Sequence, residues 1–318
     1  MLFELMRKAS HDIVNIKYCP VQPDIINKVT QFVREKAKEL GLNAYNETNK
    51  KGLLRHLVYR YSQSQEKLIL IIVINLQEIP SKLNELCKAV KSEFPEVVGT
   101  LVNFNITHTN IILGHKTELI CGDDFIEENL EGRKFKISAN SFFQVNPITA
   151  TKMFDTVYQV IEDRINKPSI LDVYAGVGSF AIWLQNIASK ITAIEENPYA
   201  IENALENIKL NKNDNSVNIE MIEGNADETL QNLVGLEEKF DVTILDPPRK
   251  GCSEVALNSV IELTEKYIIY VSCNPATLAR DIKILFEKGF VPEFIQPVDM
   301  FCHTYHIESI AVLKRIAS

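Results

Sequence analysis

From residue 169 to residue 287 the chain alternates between short apolar runs and amphipathic stretches. Residues 169–174, 190–195, 217–222, 240–245 and 267–272 read as strands, and 179–187, 197–212, 226–234, 253–264 and 276–287 read as helices. Repeated strand–helix units joined by right-handed crossovers make a parallel, doubly wound sheet. The tail breaks the rhythm. Residues 290–298 and 306–315 read as two further strands with no helix between them, which predicts an antiparallel pair at the sheet edge.

The first part of the chain is patterned differently. Residues 10–17 alternate weakly, as a strand does. Residues 23–40 place Ile26, Val29, Phe32, Val33 and Ala37 on one side of a helix, which Gly41 closes. Strands are predicted at 53–60 and 67–76, the second nearly all apolar and therefore central. A helix at 81–94 precedes strands at 97–107, 110–113, 125–130 and 134–137. Residues 1–137 thus form an α+β unit. The pattern changes at Asn140-Ser141-Phe142-Phe143-Gln144-Val145-Asn146-Pro147. There Asn146 is a helix N-cap and Pro147 the first residue of a helix reaching 165. The second domain, 138–318, is then α/β with antiparallel edge strands.

At 318 residues and 46% hydrophobic, the chain can build two cored domains. No run of eighteen apolar residues occurs, so no membrane span is expected. Met1-Leu2-Phe3-Glu4-Leu5 lacks the basic-then-apolar pattern of a signal peptide, which makes the cytoplasm the expected compartment. Cysteines at 19, 87, 121, 252, 273 and 302 have no paired spacing and no C-x-x-C, which argues against a disulfide framework or a zinc ribbon. The net charge of −8 speaks against a protein that coats nucleic acid. The charge is uneven, however: residues 1–60 hold 11 Lys/Arg against 6 Asp/Glu, and the remainder 23 against 36. A basic end on an acidic body fits local contact with phosphate, or simply a lysine-rich solvated helix face.

Candidate chemistry gathers where the strands end, because ligands of an open α/β sheet bind just past the carboxyl ends of its strands. Tyr174-Ala175-Gly176-Val177-Gly178-Ser179 is a glycine turn between strand and helix, and Glu195 closes the next strand. Glycines let backbone approach a ligand closely, and a carboxylate there can take both hydroxyls of a ribose. The pair fits S-adenosylmethionine or NAD; the missing third glycine of the pyrophosphate fingerprint favours the former. Asn225, after the third strand, can reach an adenine amino group or cap the helix that follows. Asp246 ends the fourth strand before the stiff Pro247-Pro248 turn. Cys273 ends the fifth before Asn274-Pro275, where a nucleophile would be useful; the commoner fate of a cysteine is a small buried hydrophobe. Cys302, His303 and His306 invite a metal reading, against which stands the alternation of side chains along a strand.

Four collinear segments resemble the RNA uracil-5-methyltransferase family. They are Phe-Phe-Gln-Val-Asn (142–146), Asp-Pro-Pro-Arg-Lys-Gly (246–251), Ser-Cys-Asn-Pro-Ala-Thr-Leu-Ala-Arg-Asp (272–281) and Asp-Met-Phe-Cys-His-Thr-Tyr-His-Ile-Glu-Ser (299–309). Residues 10–20, Ser-His-Asp-Ile-Val-Asn-Ile-Lys-Tyr-Cys-Pro, resemble the 23S ribosomal RNA branch. The resemblance implies a Rossmann-like class I methyltransferase domain that uses S-adenosyl-L-methionine. It implies that Cys273 adds to C6 of a uracil, that the resulting enolate takes the methyl group at C5, and that Glu308 removes the C5 proton. Gln144, Tyr174, Glu195 and Asp246 are the implied cofactor contacts, together with Asn225 and with Ser179, which stands where some relatives carry Asn. Cys302 replaces the family's usual proline.

The implied partner is structured ribosomal RNA whose target base is flipped out, bound by a monomer. Lys50, Lys51, Arg55 and Arg60 are candidate phosphate contacts. Full-length relatives carry an N-terminal OB-like domain, and the ribosomal branch often has a four-cysteine iron–sulfur cluster. Cys19 matches the last of those four and cannot hold a cluster alone, so the resemblance implies a shortened chain or a start further upstream. Three other expectations compete. One is the same chemistry on tRNA. Another is an amino-methyltransferase, whose Pro-Pro-aromatic turn resembles Asp246-Pro247-Pro248 except that Arg249 stands in place of the stacking ring. The last is an inactive RNA-binding remnant.

Overall fold

The computed structural model describes residues 4–6, 13–109 and 111–316. Residues 10–12 of the first expected strand and residue 110 lie outside them. The chain divides into two compact units, Met1–Glu128 with Lys136–Asn140, and Asn129–Phe135 with Ser141–Ser318.

In the first unit, β1 (Glu4–Met6) and β2 (Ile13–Asn15) pair antiparallel. Helix α1 (Asp24–Glu39) follows. Its end is sealed by a pair of bonds, from Leu42 N–H to the Ala37 carbonyl and from Gly41 N–H to that of Lys38. Gly41 sits at φ +69°, the left-handed turn this closure requires. Then come β3 (Leu54–Ser62), β4 (Lys67–Ile74), α2 (Ser81–Glu93), β5 (Val97–Phe104) and β6 (Lys116–Gly122). The sheet order is β3-β4-β5-β6. Strand β4 is interior, and every residue after Lys67 is buried, as its unbroken apolar run predicts. Val29 and Val33 of α1 and Leu83 and Leu86 of α2 pack with Leu68, Leu70 and Ile72 of β4 in one core.

No strand forms at 111–113, contrary to expectation. Asparagine side chains take over that backbone: Asn105 Nδ2 donates to the Ile111 and Ile112 carbonyls, and Asn103 bonds both the carbonyl and the N–H of Gly114. Side chain-to-backbone bonds of this kind compete with a ladder. Strand β6, absent from the sequence reading, forms instead as a half-exposed edge whose mixed pattern carries no clean alternation.

The hairpin β7 (Phe125–Leu130) and β8 (Arg133–Ser138) carries the chain onward. Its tip, Asn129–Phe135, belongs to the second unit, so the expected boundary at 137/138 falls inside β8. Arg133 in that tip lies 3.8 Å over the ring of the buried Trp183.

Next come α3 (Pro147–Glu162), β9 (Ser169–Val173), α4 (Ser179–Leu184), β10 (Lys190–Glu195), α5 (Pro198–Leu210), β11 (Ile219–Glu223), α6 (Ala226–Gly235) and β12 (Phe240–Leu245). They lead to α7 (Glu254–Leu263), β13 (Thr264–Ser272), α8 (Pro275–Glu287), β14 (Phe290–Val298) and β15 (Glu308–Arg315). The Asn146 side chain accepts from Thr149 N–H and caps α3, with Pro147 in its first turn. The sheet order is β11-β10-β9-β12-β13-β15-β14. The first five strands are parallel, and β15 is antiparallel to both of its neighbours. This is the expected Rossmann-like α/β architecture. The tail forms the expected antiparallel pair at one edge of the sheet, with β15 between β13 and β14 and β14 outermost. The start of β15 therefore lies beside the carboxyl end of β13. Among the described residues no helix is long and apolar enough to cross a membrane.

Candidate active site

A cleft of about 650 Å³ opens past the carboxyl ends of the parallel strands of the second unit. Gln144, Tyr174, Ser179, Glu195, Asn225, Asp246, Cys273 and Glu308 all line it, so residues spread over 165 positions of sequence meet at one place.

On one side is the turn after β9. Tyr174, Gly176 and Gly178 have φ of +67°, +57° and +82°. A side chain at Gly176 would meet nothing within 4 Å, so this glycine serves the left-handed backbone rather than tight packing. Glu195, at the end of β10, fastens the turn: its Oε2 accepts from Gly176 N–H at 2.8 Å, and its Oε1 from the N–H groups of Glu196 and Asn197. A carboxylate has about four acceptor sites, so Glu195 keeps capacity for a ligand. Asn225 is more committed. Its Oδ1 caps α6 through Asp227 N–H and its Nδ2 donates to Glu196 at 3.0 Å.

On the other side is the end of β13. The last paired residues there are Ser272 of β13 and Ser309 of β15. One step beyond that pair stand Cys273 and Glu308, neighbours across antiparallel chains. Asn274 caps α8 by accepting from Ala276 N–H, and Pro275 occupies its first position, which halts the strand and leaves Cys273 half-buried at the cleft. Glu308 is only 4% exposed.

Burial sets the electrostatics. It pushes the Glu308 carboxyl up to about 7, with the nearby Arg249 guanidinium pulling the other way. Burial also raises Asp246 well above the carboxylate range, reinforced by the charges of Glu308 and Asp172. Asp172, wholly buried near the carboxyl end of β9, is raised to about 7 by desolvation and by Glu195. Both its carboxylate oxygens are buried, and the nearby Ala181 N–H favours its charge. The Cys273 thiol is raised by burial and by Glu308, and Arg249 opposes this. Arg249 is thus the cation that favours the charged forms of both Cys273 and Glu308.

A family model described as tRNA (uracil-5-)-methyltransferase matches residues 81–316. The chain belongs to this family. An uncharacterized RNA methyltransferase of Bacillus cereus (strain ATCC 10987 / NRS 248) is 37% identical over 310 residues, covering 98% of this chain and 66% of its own length. Another, from Clostridium acetobutylicum, is 37% identical over 311 residues with 98% and 66% covered. The chain thus spans just under two thirds of the length of these relatives. Among solved structures, the Pyrococcus abyssi tRNA (uracil-54, C5)-methyltransferase in complex with S-adenosyl-L-homocysteine superposes with a TM-score of 0.77 at 28% identity, covering 96% of this chain and 71% of that one.

In this member of the tRNA (uracil-5-)-methyltransferase family, α8 also braces the Asp246–Cys252 loop, a role not read from the sequence. Asp281 is fully buried and accepts from Tyr270 Oη at 2.6 Å, Cys252 N–H at 2.9 Å and Arg280 Nε at 2.8 Å. Arg280 Nη2 donates to the carbonyls of Lys250 and Cys252, and Asn274 and Thr277 donate to that of Arg249. Gly251, at φ +73°, leaves room for this: a Cβ there would come within 2.6 Å of Asp281. Each polar residue of Asn274–Asp281 thus either caps the helix or grips the loop that carries Arg249. Asp281→Asn is expected to slacken that grip and raise the pH at which Cys273 is alkylated. Iodoacetamide labelling across a pH series, read on the Cys273 peptide by mass spectrometry, checks this; an unchanged profile would show that Arg249 is held without Asp281.

Two of the expected phosphate contacts are corrected. The Arg55 side chain is 1% exposed. It lies over the Tyr45 ring and donates to the Asn105 and Thr107 carbonyls, both at 2.7 Å. Arg60 is half-buried and donates to the Ala139 carbonyl. Both lie on β3, and packing uses their guanidinium groups for backbone carbonyls rather than an external anion. Lys50 and Lys51 are exposed, Lys50 paired with Glu47 at 3.0 Å. Among the described residues no three His, Cys, Asp or Glu side chains group to hold a metal ion. Cys19 is buried, its backbone bonded both ways to Asn27.

Proposed function

We propose that this chain transfers a methyl group from S-adenosyl-L-methionine to C5 of a uridine in 23S ribosomal RNA, through a temporary bond between Cys273 and uracil C6. The observation that carries the reading is the meeting of Cys273 and Glu308 in the wall of a cleft that the glycine turn and Glu195 also line.

The residues fit the donor. Glu195 retains about one acceptor site, for a ribose hydroxyl, beside an open left-handed turn, and Gln144, Tyr174, Ser179 and Asp246 line the same cleft. Asn225 adds its part as the cap that fixes the α6 end of the wall. When bound, the donor supplies a methyl carbon activated by a sulfonium. Glu195→Ala is expected to weaken its binding at least about tenfold by removing a hydrogen bond to a charged group; titration calorimetry measures this without RNA, and unchanged affinity would move the ribose elsewhere.

Uracil C5 is a poor nucleophile on its own. The Cys273 thiolate gives its electron pair to C6, and the C5–C6 π pair moves into the enolate, placing density on C5. Once C5 carries the methyl group, the Glu308 carboxylate takes the C5 proton. The freed pair re-forms the C5–C6 double bond, and the C6–S bond breaks to return the thiolate. Sulfur suits both ends of this cycle, as a soft nucleophile and a fair leaving group. A base with a pKa of about 7 is matched to work near neutrality.

The ribosomal assignment is supported by residues 10–20. A second reading, the same chemistry on tRNA, is favoured by the likeness to the Pyrococcus abyssi enzyme. Methyl transfer to rRNA and to tRNA, each purified from cells lacking 5-methyluridine and followed by mapping, decides between them. Cofactor binding without transfer to any RNA would replace both with a non-catalytic role.

A further inference from the structure

We propose that Asp227, held in place by Ser253, accepts the exocyclic amino group of the donor's adenine. This rests on the methyltransferase reading and adds to it the group that tells adenine from other purines. The order of the strands gives the place. Across the sheet β11, β10, β9, β12 and β13 are successive neighbours. The methyl group must lie near Cys273, just past β13, and Glu195, at the end of β10, keeps an acceptor site for a ribose hydroxyl. A donor stretched between those two points has its base on the side away from Cys273, past the end of β11. Residues 224–227 line the cleft there.

Two polar side chains of that segment can meet a base, and they are differently engaged. Asn225 is used at both ends of its amide, with Oδ1 capping α6 and Nδ2 donating to Glu196 at 3.0 Å. Asp227 accepts from Ser253 Oγ through Oδ1 at 2.6 Å, which leaves Oδ2 for a ligand. Ser253 lines the cleft as well, and caps α7 by accepting from Ala256 N–H at 2.9 Å. With that N–H on its oxygen, the serine proton points to Asp227. The bond ties the segment after β11 to the helix after β12 and fixes the carboxylate in the cleft wall.

An ionised carboxylate accepts hydrogen bonds and donates none. Oδ2 therefore matches the N–H of an adenine amino group and opposes the carbonyl oxygen that hypoxanthine and guanine carry at the same ring carbon. Asp227 also lies in the first turn of α6, where the helix dipole favours any carboxylate. The discriminating measurement is thus base selectivity rather than affinity alone.

The test titrates the full chain calorimetrically, without RNA, with S-adenosyl-L-homocysteine and with its S-inosyl analogue, in which an oxygen replaces the amino group. The wild type is expected to bind the adenosyl compound about 10- to 100-fold more tightly, the worth of a hydrogen bond to a charged group. Asp227→Asn keeps an oxygen facing Ser253 and puts an amide NH2 where Oδ2 was, so the preference shrinks toward one or reverses. Asp227→Ala brings the ratio toward one without offering the analogue a donor. A wild type that binds both compounds alike, or variants that keep the wild-type ratio, overturn Asp227 as the base-reading group and leave the methyltransferase reading standing. A wild type that binds neither compound sinks that reading and the proposal with it.

Discussion

Cys273→Ala is expected to abolish methyl transfer, with a loss on the order of a thousandfold or more, while the fold and the cofactor affinity survive. A missing nucleophile cannot be replaced by better binding, because the ring then never gains density at C5. The fold survives because Cys273 is only half-buried and its Sγ is not part of the cap of α8, which Asn274 provides. A thermal melt within a few degrees of wild type separates lost chemistry from lost structure. RNA containing 5-fluorouridine gives the sharper comparison. Fluorine at C5 leaves no proton for Glu308, so elimination stalls and the wild type stays bonded to the RNA through denaturing electrophoresis. Cys273→Ala forms no such complex. Full activity in this variant would remove the thiol from the chemistry and turn attention to an amino-methyltransferase.

The strand–helix alternation made the second unit legible, because its parallel strands are short and mostly apolar and four of the five crossover helices are capped by a visible Asn or Ser. The place of β15 was not legible. Two consecutive strands without a helix between them imply antiparallel pairing, but nothing local says that the second will slip between the first and β13. That insertion brings Glu308 to Cys273, so the site's central pair was named through family resemblance rather than from pattern. Arg55 and Arg60 were misread for the opposite reason. A basic residue in sequence reads as surface, and only packing reveals a guanidinium used for buried carbonyls. The role of Asp281 was equally hidden: in the sequence it is one carboxylate in a motif, and the burial that lets it hold Tyr270, Cys252 and Arg280 is a property of the finished fold.

Glu308→Gln is expected to slow turnover by roughly a hundred- to ten-thousandfold, the usual worth of a positioned base, and to do so by stalling a particular step. The amide cannot take the C5 proton, so addition and methylation proceed and the methylated RNA remains bonded to Cys273. Ordinary uridine RNA should then give the denaturation-resistant complex that the wild type gives only with 5-fluorouridine. The same substitution has a stability signature. The folded carboxyl has a pKa of about 7 against an ordinary value of 4.5, so between those values the folded state holds more protons than the unfolded one. The residue's favourable contribution is complete below about pH 4.5 and is lost as pH rises through 7, where its buried charge costs up to about 3 kcal/mol. Glutamine is neutral throughout. Denaturant melts should find Glu308→Gln more stable than wild type at pH 8 and no different at pH 4.5. Removing the neighbouring negative charge also lowers the Cys273 pKa, so alkylation at pH 8 should be faster in the variant. A slow enzyme with no trapped RNA and no pH-dependent gain in stability would mean that some group other than Glu308 takes the proton.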